Sequence, residues 1–248
     1  MKKVEICCGS YYDAVAAQNG GASRIELNSA LHLGGLTPSI GTLLQVKNHT
    51  DLEVICMVRP RAAGFCYNEE DVETMFLDAE VLLDNGADGI AFGFLDEECD
   101  IDIPHTRRMV ELIHSYGKTA VFHRAIDCVF DIDRAMDILI ALGVDRILTS
   151  GLQLTAIEGA EMIKYLQEAY GEHIEILAGS GINPQNVEKF MKVSHVNQVH
   201  SSCKDWKLDS TTCALNGAFS YHGDEYECVD VDKVEELVER VEDDIEII

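Results

Sequence analysis

NGADGIAF, residues 85–92, joins two kinds of structure in eight residues. Ahead of it, EDVETMFLDAEVLLD carries apolar side chains at Val72, Met75, Phe76, Ala79, Leu82 and Leu83, the three-to-four spacing of one helix face. Gly86 supplies the left-handed residue that stops a helix, and a short strand-like run begins at Gly89. The pattern recurs in NGGASRIEL (19–27) and LGVDRILTS (142–150), each with Gly after a helical run and a small polar residue before the next strand.

On either side of these joints, strand-like segments recur along the chain: VEICCG (4–9), RIELN (24–28), EVICMVRPR (53–61), GIAFGFL (89–95), TAVFHRAI (119–126), RILTSG (146–151), EILAGSG (175–181) and NQVHSSC (197–203). Stretches long enough for a helix separate them. Strands alternating with helices in this way are parallel βαβ units, and this number of units closes most economically into an α/β fold of the (β/α)8 TIM-barrel type. The expectation is a single TIM-barrel domain over residues 1–248. An open doubly wound sheet competes, but its G-x-G-x-x-G fingerprint is absent; the nearest string, GSGINP, lacks the third glycine. Residues 204–231 form a long polar segment before the closing helix, a place where barrels carry lids or subunit contacts.

Composition narrows the function. With 47% hydrophobic and 25% charged residues the chain has the profile of a globular protein with a substantial core. A net charge of −25 argues against nucleic acid or an anionic membrane as partner, because such binding depends on Lys and Arg. Glu5 and Asp13 interrupt any secretory apolar run, and no apolar stretch approaches a membrane span, so the expected location is cytoplasmic. The 9 cysteines, with no C-x-x-C among them, then read as reduced thiols.

Barrel active sites lie at the carboxyl ends of the strands. Alternation places Glu5 and Cys7 on one face of the first strand, opposite Val4, Ile6 and Cys8, and Arg24, Glu26 and Asn28 opposite Ile25 and Leu27. The apolar faces must meet the helices, so Glu5, Cys7, Glu26 and Asn28 point into the barrel. By the same count Arg59, Arg61 and His123 point inward, with Asp127 close behind, and the carboxylates and guanidiniums should pair. Glu26, Arg59, Arg61, His123 and Asp127 are therefore the candidate catalytic residues, a mixed acid and base cluster in a pocket.

AGSGINPQN (178–186) is expected to run from a strand through Gly179, Ser180 and Gly181 into a helix opened by Asn183 and Pro184, with Ser201 ending the last strand. Loops in those two positions form the usual barrel phosphate cup. No lysine ends a strand, since Lys204 and Lys207 lie in the long segment, which disfavours Schiff-base chemistry. Cys7, with His123 or His200, could ligate a soft ion such as Cu(I), although a lone inward cysteine is more often a small core side chain.

Several of these strings together resemble the CutC family of copper homeostasis proteins: VEICCGS, ASRIELNSALHLGGLTPSIGTL, MVRPRAAGFCYNEED, GADGIAFGFL, VFHRAID, LTSG and AGSGI, in order from Val4 to Ser202. The resemblance implies a barrel, a cytoplasmic location and a homo-oligomer, a dimer or tetramer. It also implies a copper site of two cysteines, one in E-x-C and one ending R-I-E-L-C. The first is Cys7; the second position is Asn28, and an amide is a poor Cu(I) ligand. Glu26, Arg59, Arg61, His123, Arg124, Asp127 and the 179–181 segment match the family pattern.

Two functions follow. One is a copper-handling protein with an incomplete thiol pair, expected to bind Cu(I) no better than an ordinary surface thiol does. The other is a barrel enzyme acting on a small anionic substrate, phosphorylated or not: Arg59 and Arg61 would bind the anion, Glu26 and His123 would pass protons, and residues 179–181 would hold a phosphate.

Overall fold

A computed structural model describes residues 2–212 and 223–243; residues 213–222, inside the polar segment 204–231, lie outside the described residues. Eight parallel strands close into a barrel in chain order: β1 (Lys3–Cys8), β2 (Arg24–Leu27), β3 (Glu53–Met57), β4 (Gly89–Phe92), β5 (Thr119–Phe122), β6 (Arg146–Thr149), β7 (Glu175–Ala178) and β8 (Gln198–Ser201), with β8 pairing back to β1. The helices between them are α1 (Tyr11–Asn19), α2 (Ile40–His49), α3 (Glu69–Asp84), α4 (Ile103–Ser115), α5 (Ile132–Leu142), α6 (Ala160–Tyr170) and α7 (Val187–Ser194), and α8 (Val231–Asp243) closes the ring. The fold is the expected (β/α)8 barrel.

The joints work as their repetition implied. Gly21, Gly86 and Gly143 all have positive φ, at 87°, 94° and 81°. The polar residue that follows has a further task. Asp88 accepts the Val54 N–H at 3.0 Å, and Asp145 accepts the Ala120 N–H at 2.7 Å, so each aspartate clips the foot of the preceding strand before its own strand begins.

Side-chain alternation divides the apolar residues between two regions. Val4, Ile6, Cys8, Ile25 and Leu27 belong to the large core between strands and helices, whereas Ile55, Met57, Ala91 and Val121 form a small cluster inside the barrel. That apolar cluster comes from β3 to β5. The lumen also holds an ionic group, with Glu5, Arg24, Arg146 and His200 all buried. Beyond β8 the chain forms an antiparallel hairpin, β9 (Lys204–Leu208) with β10 (Glu225–Val229). The Val229 N–H donates to the buried Asp13 carboxylate at 2.8 Å, tying the hairpin to α1. No helix among the described residues is long and apolar enough to cross a membrane.

Candidate functional site

Glu5 anchors the floor of the barrel lumen. Its carboxylate lies 2.6 Å from Arg24 Nε, 2.9 Å from His200 Nδ1 and 3.9 Å from Arg146 Nη1. Burial by itself would push this carboxyl up, but Arg24, the His200 hydrogen bond and Arg146 together bring it down to about 2. The expected carboxylate–guanidinium pairing is present, with different partners. Arg24 and Arg146 supply the charges, not Arg59 and Arg61.

Above this floor, Cys7, Glu26, His200, Arg59 and His123 line one cavity of about 330 Å³. Cys7 pairs with Glu26 in the β1–β2 register, and Cys7 Sγ donates to Glu26 Oε2 at 3.9 Å. Asn28 Nδ2 donates to Glu26 Oε2 at 2.9 Å and to Cys7 Sγ at 3.5 Å. Burial, with Glu5 nearby, raises the Glu26 carboxyl against the pull of His200. Burial and the Glu26 charge push the Cys7 thiol well above its usual range. Cys8 is fully buried in the outer core, as alternation required. One ligating atom each from Cys7, Glu26 and His200 lie within 4.8 Å of one another. His200 Nδ1 is engaged by Glu5, which leaves Nε2 as the free ring nitrogen.

His123 follows β5 and is only 3% exposed. Its Nδ1 accepts the Ala125 N–H at 3.1 Å, so the ring proton sits on Nε2. Burial and the Arg59 charge hold the imidazole down to about 3, neutral throughout the physiological range. This changes the role expected of it, since a neutral imidazole whose acceptor nitrogen is occupied donates a hydrogen bond and does not accept a substrate proton. Gly93 makes the position possible, because a Cβ there would lie 2.5 Å from His123 Cε1.

Three of the remaining candidates face elsewhere. β3 ends at Met57, so strand alternation no longer governs Arg61; its Nε donates to Asp71 at 2.7 Å and its guanidinium lies over the Tyr67 ring, outside the cavity. Asp127 sits in a 3-10 turn (Arg124–Cys128) and organises the loop after β6: it accepts from Thr149 Oγ1 at 2.6 Å and from the Ser150 and Leu152 N–H groups. Ser201 Oγ donates to the Ile182 carbonyl at 2.6 Å, and Ser202 lines the cavity in its place. Asp127→Ala is expected to cost about 3 kcal/mol in urea denaturation, because it strands buried N–H groups.

The 179–181 segment is largely self-satisfied. β7 ends at Ala178 and α7 starts at Val187, one turn later than expected, and the Gly181 carbonyl accepts from Asn186 Nδ2 at 2.9 Å. Gly179 packs tightly, its position being 2.8 Å from Leu148 Cδ1 for any Cβ; Ser180 alone of the three lines the cavity. Lys204, assigned to the distal loop from sequence, opens β9 and lines the cavity rim, paired with Glu227 at 3.8 Å. His200, Arg24 and Arg146 carried a legible signal, each lying on the inward parity of a strand whose other face is apolar.

Fold and site together define a (β/α)8 barrel whose carboxyl-end mouth holds a half-buried thiol and a buried carboxylate and imidazole in one pocket. A profile of the CutC family matches residues 2–205. The family protein CutC of Treponema denticola is 49% identical over 221 residues, 89% of each chain. That of Photorhabdus laumondii is 44% identical over 213 residues, covering 86% of this chain and 84% of the relative. A crystal structure of a CutC from Streptococcus agalactiae, named for copper homeostasis, superposes with a TM-score of 0.76 at 29% identity, covering 82% of this chain and 99% of that one. This chain belongs to the CutC family. Phosphoribosyl anthranilate isomerase of Thermotoga maritima shares the fold alone, with a TM-score of 0.58 at 13% identity over 98% of this chain and 100% of that one.

Proposed function

We propose that this chain handles copper at the barrel mouth, holding one ion through Cys7 Sγ, His200 Nε2 and the Glu26 carboxylate. The convergence of those three donors within 4.8 Å carries the reading. A thiolate and an imidazole are the donors copper prefers. The Glu5 carboxylate on the other ring nitrogen of His200 is the usual outer partner of a metal-bound histidine, fixing its tautomer and aim. Asn28 is not a ligand here; its amide N–H groups point at Cys7 and Glu26 and would steady both anions. The reading departs from the single-thiol affinity anticipated from Asn28, because two donors from other strands stand where the second cysteine is missing. A reducing compartment suits it, since the eight described cysteines are all free.

Because the Cys7 thiol stays protonated well into the alkaline range, copper must displace its proton. Affinity is therefore expected to rise about tenfold per pH unit around neutrality. An anaerobic Cu(I) competition titration against a chromophoric chelator measures this. Cys7→Ser should remove stoichiometric binding, and Glu5→Gln should weaken it about 10- to 100-fold. Binding that survives Cys7→Ser unchanged would refute the site.

A further inference from the structure

We infer that a second part of the same cavity, formed by Arg59 and His123, is a binding site for a small molecule bearing one carboxylate. Arg59 is 6% exposed, and its Nη atoms donate only to neutral oxygens, the carbonyls of Leu33 and Gly35 at 3.0 Å and that of Ala63. Among the described residues no carboxylate pairs with it; the buried Tyr67 hydroxyl lies against its guanidinium as a further neutral oxygen, and its Nε makes no hydrogen bond. The other cations lining the cavity are matched: Arg124 by Asp127 at 2.9 Å, Lys204 by Glu227 at 3.8 Å, and His200 by Glu5 at 2.9 Å. Among the described residues Arg59 thus has no carboxylate within ion-pairing distance, the other unpaired charge of the cavity, Glu26, being held by Asn28 and Cys7, and a buried cation so placed is costly until an anion arrives.

His123 presents the second unmet donor. Its Nδ1 is occupied by the Ala125 N–H, and its buried Nε2 has no partner among the described residues. The Phe65 ring lies against both groups, 5.2 Å from the Arg59 guanidinium carbon and 4.9 Å between ring centroids from His123. An oxyanion placed there would satisfy a charged and a neutral N–H donor beside an apolar plate. With the Glu26 carboxyl already lining the same cavity, one added negative charge is accommodated better than two, which selects a carboxylate over a dianionic phosphate. The cavity volume of 330 Å³ leaves room for a ligand of roughly ten water-sized groups.

This site shares no donor with the Cys7, Glu26 and His200 set, so it stands or falls apart from the copper reading. The test uses the full chain with a metal chelator present. Sodium acetate and inorganic phosphate are titrated separately at neutral pH and constant ionic strength, following the histidine side-chain 15N resonances. Acetate is expected to shift the His123 signal saturably and at lower concentration than phosphate. Arg59→Gln should weaken acetate at least about tenfold. His123→Phe, which keeps a ring against Phe65 but removes the N–H, should weaken it severalfold, read as loss of the acetate-induced rise in Tm. Arg61→Gln, outside the cavity, should leave acetate binding unchanged. A response no different from chloride, tighter saturation by phosphate, or wild-type acetate binding in His123→Phe would each overturn the assignment. If Arg59→Gln does not fold, the His123→Phe result decides.

Discussion

Between pH 4.5 and pH 3 the folded state is expected to lose stability at about 2 kcal/mol per pH unit from two side chains alone, Glu5 and His123. Each has a folded pKa below its unfolded value: Glu5 falls from 4.5 to about 2, and His123 from 6.5 to about 3. A depressed group contributes stability that is complete above its unfolded pKa and is lost as pH falls toward the folded one. His123 therefore begins to erode stability below 6.5, and Glu5 joins it below 4.5. Above 4.5 the raised Glu26 carboxyl acts in the opposite sense, binding its proton more tightly in the folded state and offsetting part of the His123 loss. Below 4.5 that compensation is spent, and the two slopes add. Urea titrations at a series of pH values measure the slope directly. His123→Phe should about halve it, whatever it does to stability at neutral pH. An unchanged slope in that variant would mean that His123 takes up its proton within the folded state.

Arg24→Met is expected to destabilise the chain by about 3–5 kcal/mol in urea denaturation. Arg24 is fully buried, 2.6 Å from Glu5 and 2.7 Å from Gln198 Oε1, so its removal leaves a carboxylate in the lumen with only Arg146 and His200 to answer it. Much of the cost comes from the stranded charge, not from the loss of a favourable bond. The double variant Glu5→Gln with Arg24→Met should accordingly recover a large part of the loss. It should not recover copper binding, because the carboxylate that aims His200 would be gone. A single-variant cost below about 1 kcal/mol would show that the remaining partners suffice.

The two predictions share an origin that strand alternation exposes in part. Alternation correctly turned Glu5, Cys7, Glu26 and Asn28 inward and Cys8 outward, because a strand's period of two holds wherever the backbone remains a strand. It failed at Arg61 and Asp127, since both lie beyond the last residue of their strands, where loop and 3-10 geometry set the direction. His200 was within reach of the same rule, opposite the outward Val199, yet its importance depends on Glu5, 195 residues away.

The barrel, the inward set on the first two strands and the missing second cysteine are legible in the residues alone, because each is a matter of local period or of residue identity. What stands in for that cysteine is set by barrel closure. Closure of β8 onto β1 brings His200 to Cys7 and Glu26, and the loops after β3 and β5 bring Arg59 and His123 to the same cavity. These are contacts between chain segments far apart in sequence, fixed by the packing of the whole barrel.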